Sequence, residues 1–280
     1  MYEAFFGLRE APFSLTPDPR FLWPSETHQE GLAALVYGIT RRKGFLLLTG
    51  EVGAGKTTLL RAALDQIPPD TEVALVLNTS DLRPLDLLKL ISSEFRLGER
   101  MESKVDYVIA LNAYLLDRLR TGGNTVLIID EAQNLDHALL EEVRLLSNLE
   151  TDTEKLLQIV LTGQPELKAK LSARDLRQLR QRIAIEHHVQ ALGREEIGPF
   201  LAHRIQVAGG RYEEVFGPGV EPIFYAFSHG IPRLLCLLAD RVLLAAFAKQ
   251  VKPVPAALVE AKAKAMEAVR FGAALEAADG

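Results

Sequence analysis

"FLLLTGEVGAGKTTLLRAAL", residues 45–64, passes from a solid apolar run through a glycine-rich turn into a string of helix formers, with Lys56 at the join. Inside it, "GEVGAGKT" satisfies G-x-x-x-x-G-K-[ST] as Gly50, Gly55, Lys56 and Thr57. The pattern carries weight because a buried-strand signal precedes it and a helix signal follows it. The glycines, Gly53 included, let the loop curl so that backbone N–H groups, those of Ala54 and Thr58 among them, face an anion at the positive start of the next helix. Lys56 is then expected to reach the β- and γ-phosphates of ATP, and the Thr57 hydroxyl to hold Mg2+. A glycine turn with a stray lysine is the bland alternative, and the flanking strand and helix argue against it.

Outward from this loop, apolar runs alternate with helical patterns from Gly44 to Leu192, as expected of a parallel sheet buried on both faces. The runs predict strands at 45–50, 73–78, 125–130, 157–163 and 185–192. Val105, Val108, Ile109, Leu116 and Leu119 are spaced to line one face of a helix. After Gly193 the strand signals stop, and helical patterns at 194–208, 220–228, 232–249 and 255–272 are broken at "AGGRY", "FGPG", "HGIP" and "KPVP". The expected organisation is an N-terminal arm rich in aromatic residues and proline (1–24), an α/β core with a five-stranded parallel sheet (25–192), and a helical lid with a C-terminal helix (193–280).

With 280 residues, 48% of them hydrophobic, the chain has enough apolar surface for sizeable cores. The stretch "LLCLLADRVLLAAFA" from Leu234 is broken by Asp240 and Arg241, short of the roughly 20 apolar residues of a membrane helix. The opening "MYEAFFGLRE" has no basic segment followed by an apolar one, so a cytoplasmic location is expected. Cys236 is the one cysteine, which excludes an intrachain disulfide, and its apolar flanks suggest a buried spectator. A net charge of −5 supplies no global attraction to nucleic acid.

Hydrolysis at a phosphate site requires a carboxylate near the metal and a group that orients water. "TVLIIDEAQ" offers Asp130 at the end of an apolar strand to face Mg2+, and Glu131 as base for the attacking water. Helix capping by these acids is the alternative. "DEAQ" also occurs in helicases, but only helical patterns remain after Leu192, too little for a second ATPase-like domain. In "LQIVLTGQPEL", Thr162 and Gln164 would lie beside the acidic tip if the two strands are neighbours, and either could sense the γ-phosphate. Arg174, Arg177, Arg180 and Arg182 crowd before the last strand, where a solvated or nucleic-acid-facing basic surface is the competing reading. Arg233 follows Pro232 at a helix start.

Taken in this order, the motifs resemble an AAA+ ATPase. The opening "FFGLREAPFSLTPDPRFLWPSETHQEGLAALVYGITRRKGFLLLTGEVGAGKTTLLR", with "LTGQPEL", "LRQRI" and "HGIPRLL", is similar to the ExeA-like family (general secretion pathway protein A) over residues 2 to about 250. This resemblance implies that Lys56 and Thr57 bind phosphate and magnesium, that Asp130 positions the metal and that Glu131 activates water. It implies Gln164 at the first sensor position, Arg233 at the second, and Arg182 or Arg180 as a finger reaching a neighbour's site. It further implies assembly into rings or filaments of the chain with itself. Members built for secretion often continue into a transmembrane helix and a peptidoglycan-binding domain. As this chain stops at Gly280 without either, a cell-wall role would call for a separate partner.

The arm's Phe5, Phe6, Leu8, Phe13, Phe21, Leu22 and Trp23 are expected to form an extended strip packed on the core, with Phe21 to Trp23 near the adenine. "TRRKG" reads as a solvated helix end. The first functional expectation is a cytoplasmic ATPase, peripheral to the inner membrane through a protein partner, that assembles or remodels a secretion or pilus-type apparatus. The alternative is a DNA-associated ATPase of the transposition target-selection type, with Arg96, Arg100 and Lys104 lining a DNA channel. A non-hydrolysing nucleotide switch is disfavoured by the presence of both Asp130 and Glu131.

Overall fold

The computed structural model of the chain describes residues 1–77, 82–98 and 101–278, with side chains described to residue 268. β1 (Phe45–Gly50), β2 (Thr71–Val76), β3 (Asn124–Ile129), β4 (Gln158–Gly163) and β5 (Ile183–Val189) form one parallel sheet of order β2-β3-β4-β1-β5. The three inner strands are buried at every position, which is why "FLLLTG" and its counterparts read as unbroken apolar runs. The edge strands β2 and β5 alternate between covered and exposed positions. Their mixed sequences blur the boundaries: the expected 73–78 becomes Thr71–Val76 and the expected 185–192 becomes Ile183–Val189. Asn78, assigned to a strand from its sequence, lies outside the described residues.

The helices are α1 (Tyr2–Phe6), α2 (Glu26–Thr40), α3 (Lys56–Leu64), α4 (Pro84–Glu94), α5 (Lys104–Arg120), α6 (His137–Leu146), α7 (Pro165–Leu171), α8 (Arg177–Arg180), α9 (Ile197–Val207), α10 (Tyr212–Val215), α11 (Glu221–Ser228), α12 (Pro232–Ala248) and α13 (Ala256–Ala278). The chain divides into two compact units. A sheet unit comprises Gln29–Val52 and Ala62–Val189, and a helical unit comprises Met1–His28, Gly53–Arg61 and Gln190–Gly280.

In the sheet unit, Leu127, Ile129, Ile159 and Leu161 pack with Leu87 and Ile91 of α4, Leu111 and Leu115 of α5, and Leu139 and Val143 of α6. The buried stripe of α5 is Tyr107, Leu111 and Leu115, while Val105 and Ile109 are exposed. Val108, Leu116 and Leu119 pack against this core from partly buried positions, so the expected face is right for these three and wrong for Val105 and Ile109. "TRRKG" is not simply solvated. Arg42 has φ +51°, and its half-buried guanidinium donates to Gly123 O at 2.7 Å.

In the helical unit, Phe200, Leu201, Phe224, Leu235, Leu238, Val242 and Val259 share one core with Tyr2, Phe6, Leu8, Phe13 and Phe21 of the arm. The arm is thus not an extended strip on the α/β core. It opens with α1, turns at Gly7 (φ +75°) and inserts its aromatic side chains among helices some 200 residues later in the chain. Tyr2 Oη donates to Asp240 Oδ1 at 2.6 Å, and the Arg9 N–H donates to Ala208 O at 2.8 Å. Cys236 is buried in the same core. Among the described residues, no helix is long and apolar enough to cross a membrane.

Candidate functional site

The phosphate-loop glycines meet three different demands. Gly50 ends β1, where a Cβ would lie 2.7 Å from Val189 O of β5, so the strand pairing itself excludes a side chain. Gly53 (φ +83°) and Gly55 (φ +105°) adopt backbone conformations that favour glycine. A Cβ on Gly53 would also lie 2.5 Å from Arg233 Cβ. Gly53 O accepts the Arg233 N–H at 3.1 Å, so the loop and the start of α12 are joined backbone to backbone. The Arg233 side chain is exposed. Lys56 is buried as the first residue of α3, Ala54 is buried, and Thr57 and Thr58 are half-buried.

A small crevice in the helical unit is lined by Phe21, Leu22 and Trp23 of the arm, by His28, Gly55 and Thr58, and by Phe200 and Arg204 of α9. His28 is buried, with Nδ1 2.6 Å from Ser25 Oγ, and its Nε2 is 3.3 Å from the point a Cβ on Gly55 would occupy. Arg204 is 9% exposed, donates to Pro12 O (2.7 Å), Ser14 O (3.1 Å) and Phe21 O (3.5 Å), and stacks over the Phe21 ring at 4.8 Å. Burial pulls its pKa below the ordinary arginine range. Neither His28 nor Arg204 was anticipated from the sequence, since nothing local ties either to the loop.

In the sheet unit, β3 and β4 are neighbours, so the acidic tip and the polar tip stand side by side. Asp130 follows β3, and its N–H donates to Val76 O at 3.0 Å. Asp130 Oδ1 accepts the Glu131 N–H at 3.0 Å and the Thr162 hydroxyl of β4. Thr162 therefore orients Asp130. Glu131 has φ +50° and ψ +40°, a conformation that costs an L residue about 1–2 kcal/mol. Its Oε2 accepts from Gln133 Nε2 at 2.5 Å and Gln164 Nε2 at 3.4 Å. Helix capping does not occupy these acids, because Asp136 is the side chain that caps α6, accepting the Leu139 N–H at 2.8 Å.

The basic residues separate by environment. Leu176 and Leu179 anchor the segment around α8, while Arg174, Arg177 and Arg180 are exposed and Arg180 Nη1 lies 3.4 Å from Ser172 Oγ. Arg182 is half-buried and donates to Ser147 Oγ at 2.7 Å. Of the residues expected to line a DNA channel, Arg100 lies outside the described residues, and Lys104 is paired with the buried Glu142 of α6.

The donor set fits a magnesium nucleotide. Backbone N–H groups at positive-φ glycines and a buried lysine at a helix start match polyphosphate chemistry, and Thr57 and Asp130, each in its own unit, offer hard oxygens of the kind Mg2+ takes.

A family model described as "AAA domain" matches residues 39–171. The chain is 46% identical over 250 residues to general secretion pathway protein A of Aeromonas hydrophila, covering 89% of this chain and 45% of that protein. It thus spans about half the length of the curated relative it matches. Among solved structures it is similar to the ORC2 protein of Aeropyrum pernix in ADPNP–ADP complexes (TM-score 0.68, 16% identity, 91% of this chain and 71% of that one). It is also similar to Cdc6p of Pyrobaculum aerophilum (TM-score 0.65, 18% identity, 87% and 67%). At these identities the structural likeness speaks for the fold.

Proposed function

Since the chain belongs to the ExeA-like family of AAA+ ATPases, we propose that it binds and hydrolyses ATP and couples turnover to assembly with copies of itself. The observation that carries this reading is the paired strand tips, where Thr162 holds Asp130 and two glutamines converge on Glu131. In this account residues 25–192 act as the ATPase core and 193–280 as its lid, with 1–24 as the arm. Gly50, Gly53, Ala54, Gly55, Lys56, Thr57 and Thr58 form the phosphate loop, and Thr57 with Asp130 would hold Mg2+, which when bound offsets charge on the phosphate oxygens. Lys56 neutralises the terminal phosphates. Glu131 takes the proton of the attacking water, Gln164 reads the γ-phosphate, and Arg233 acts in cis from the start of α12.

Arg180 or Arg182 serves as the finger to a neighbouring protomer's site in a ring or filament. Arg180 is the more exposed of the two, and Arg182 would first leave Ser147. The partner apparatus is proposed to be of the secretion or pilus type, after the relative named for the general secretion pathway, with the chain cytoplasmic and held at the inner membrane through that partner. The DNA-associated alternative has less support, given the net charge of −5 and the engagement of Lys104 by Glu142.

The test is ATP turnover per subunit against protein concentration. A finger acting between protomers is worth about 10³ to 10⁵ in rate, so specific activity should climb as protomers meet. Arg180→Ala or Arg182→Ala protomers, inactive alone, should regain part of the rate when mixed with Lys56→Ala protomers, which donate an intact finger. A flat concentration dependence without rescue contradicts the assembly reading.

A further inference from the structure

The proposed reaction supplies no role for Gln133, yet it bonds on three sides. Its Nε2 donates to Glu131 Oε2 at 2.5 Å, and its Oε1 accepts the Gln164 N–H at 3.1 Å. Its own carbonyl, with that of Leu135, accepts from Lys170 Nζ of α7, at 2.5 and 2.8 Å. A single side chain therefore joins the residue after Asp130 to Gln164, the residue just before α7. Gly163 at the end of β4 makes room for it, since a Cβ there would lie 2.7 Å from Gln133 Oε1.

Two amide donors share Glu131 Oε2, and they are unequal. Gln164 stands at 3.4 Å, at the margin of a hydrogen bond, and Gln133 at 2.5 Å is much the nearer donor. In the proposed reaction Gln164 must turn toward a terminal phosphate, which would leave Glu131 held by whatever does not move. Resting on that reading, we propose that Gln133 is a positioning residue: it clamps one oxygen of the Glu131 carboxylate, and so fixes the plane in which the group meets the attacking water. Its second arm ties this clamp to the Gln164 backbone, so that the base and the phosphate sensor share one rigid support. Hydrogen bonds to charged groups are the stronger kind, and a base displaced slightly from its line of attack loses rate without losing substrate.

Two variants separate the arms of the clamp. Gln133→Ala removes both. Gln133→Glu keeps an acceptor for the Gln164 N–H and sets a carboxylate against Glu131. If the donor to Glu131 is what matters, kcat should fall by at least about tenfold in both variants, with Gln133→Glu no better than Gln133→Ala, while KM for ATP, equilibrium affinity for a fluorescent ATP analogue and Tm stay near wild type. A kcat restored by Gln133→Glu would overturn the clamp in favour of support for Gln164. Parallel loss of kcat, nucleotide affinity and Tm would assign Gln133 a structural role and overturn it too.

A nucleotide-free readout is the side-chain amide resonance of Gln133 in ¹⁵N-labelled protein, identified by its loss in Gln133→Ala. It should shift upfield in Glu131→Gln, where the charged acceptor is gone, and an unmoved resonance would contradict the contact. Wild-type and Glu131→Gln protein in the same turnover assay keep the two levels distinct. An inactive wild type would overturn the ATPase reading and this inference with it, whereas an active wild type, an inactive Glu131→Gln and a fully active Gln133→Ala would overturn this inference alone.

Discussion

In the sheet unit, Asp130 and Glu131 are held by Thr162, Gln133 and Gln164, partners no more than 33 residues away. In the helical unit, Arg204 is held by carbonyls of the arm 183 to 192 residues away. The first arrangement follows from strand pairing, which sets the polar ends of β3 and β4 side by side. The second exists only when the two ends of the chain have come together. Chemistry is thus expected to respond to changes at the strand tips, and integrity of the helical unit to changes in an arm that resembles a linker by sequence.

Deletion of residues 1–24 should have the largest effect on that contrast. It removes Tyr2, Phe6, Leu8, Phe13 and Phe21 from the helical core. At about 1.5–3 kcal/mol for each buried side chain, the loss rivals the whole stability of a domain, about 5–15 kcal/mol. Hydrogen exchange should show protection lost in α9, α11 and α12 and retained in β1, β3 and β4. Equal protection in both units would mean that the arm is an accessory.

A milder change is Arg204→Met, which keeps the stem between Phe21 and Phe200 and removes the donors. It should destabilise by about 1–3 kcal/mol, visible as a Tm lower by a few degrees. The carbonyls of Pro12, Ser14 and Phe21 would be left without the guanidinium. A Tm equal to wild type would show that ring packing alone holds the arm.

The same contrast explains what could be read beforehand. The inner strands were legible almost to the residue, because burial on both faces demands an unbroken apolar run, and β1 spans the expected 45–50. The glycine turn between β1 and α3 was legible because its glycines answer backbone geometry. On α5 the expected face holds for Val108, Leu116 and Leu119, which pack against the core, and fails for Val105 and Ile109, which are exposed, since apolar spacing does not say where the edge of the buried stripe falls. α10 was missed because its first residue, Tyr212, closes "AGGRY", a stretch that reads as a break. The arm was misplaced because aromatic residues between prolines announce packing without naming a partner. Gln133 stood in plain view within "DEAQ", but its role appears only when the end of β4 is set beside it.

The central claim is that Asp130 and Glu131 serve a nucleotide held by the phosphate loop, with Glu131 as base and Lys56 as anchor. Equilibrium ATP binding and steady-state turnover, measured together on wild type, Glu131→Gln and Lys56→Ala, test it most directly. Glu131→Gln should bind ATP with wild-type affinity and turn it over at least about 100-fold more slowly, the scale of a lost general base. Lys56→Ala should lose binding or turnover with its fold intact by circular dichroism. Wild-type turnover in either variant, or equal loss of ATP binding in Glu131→Gln, would contradict the account.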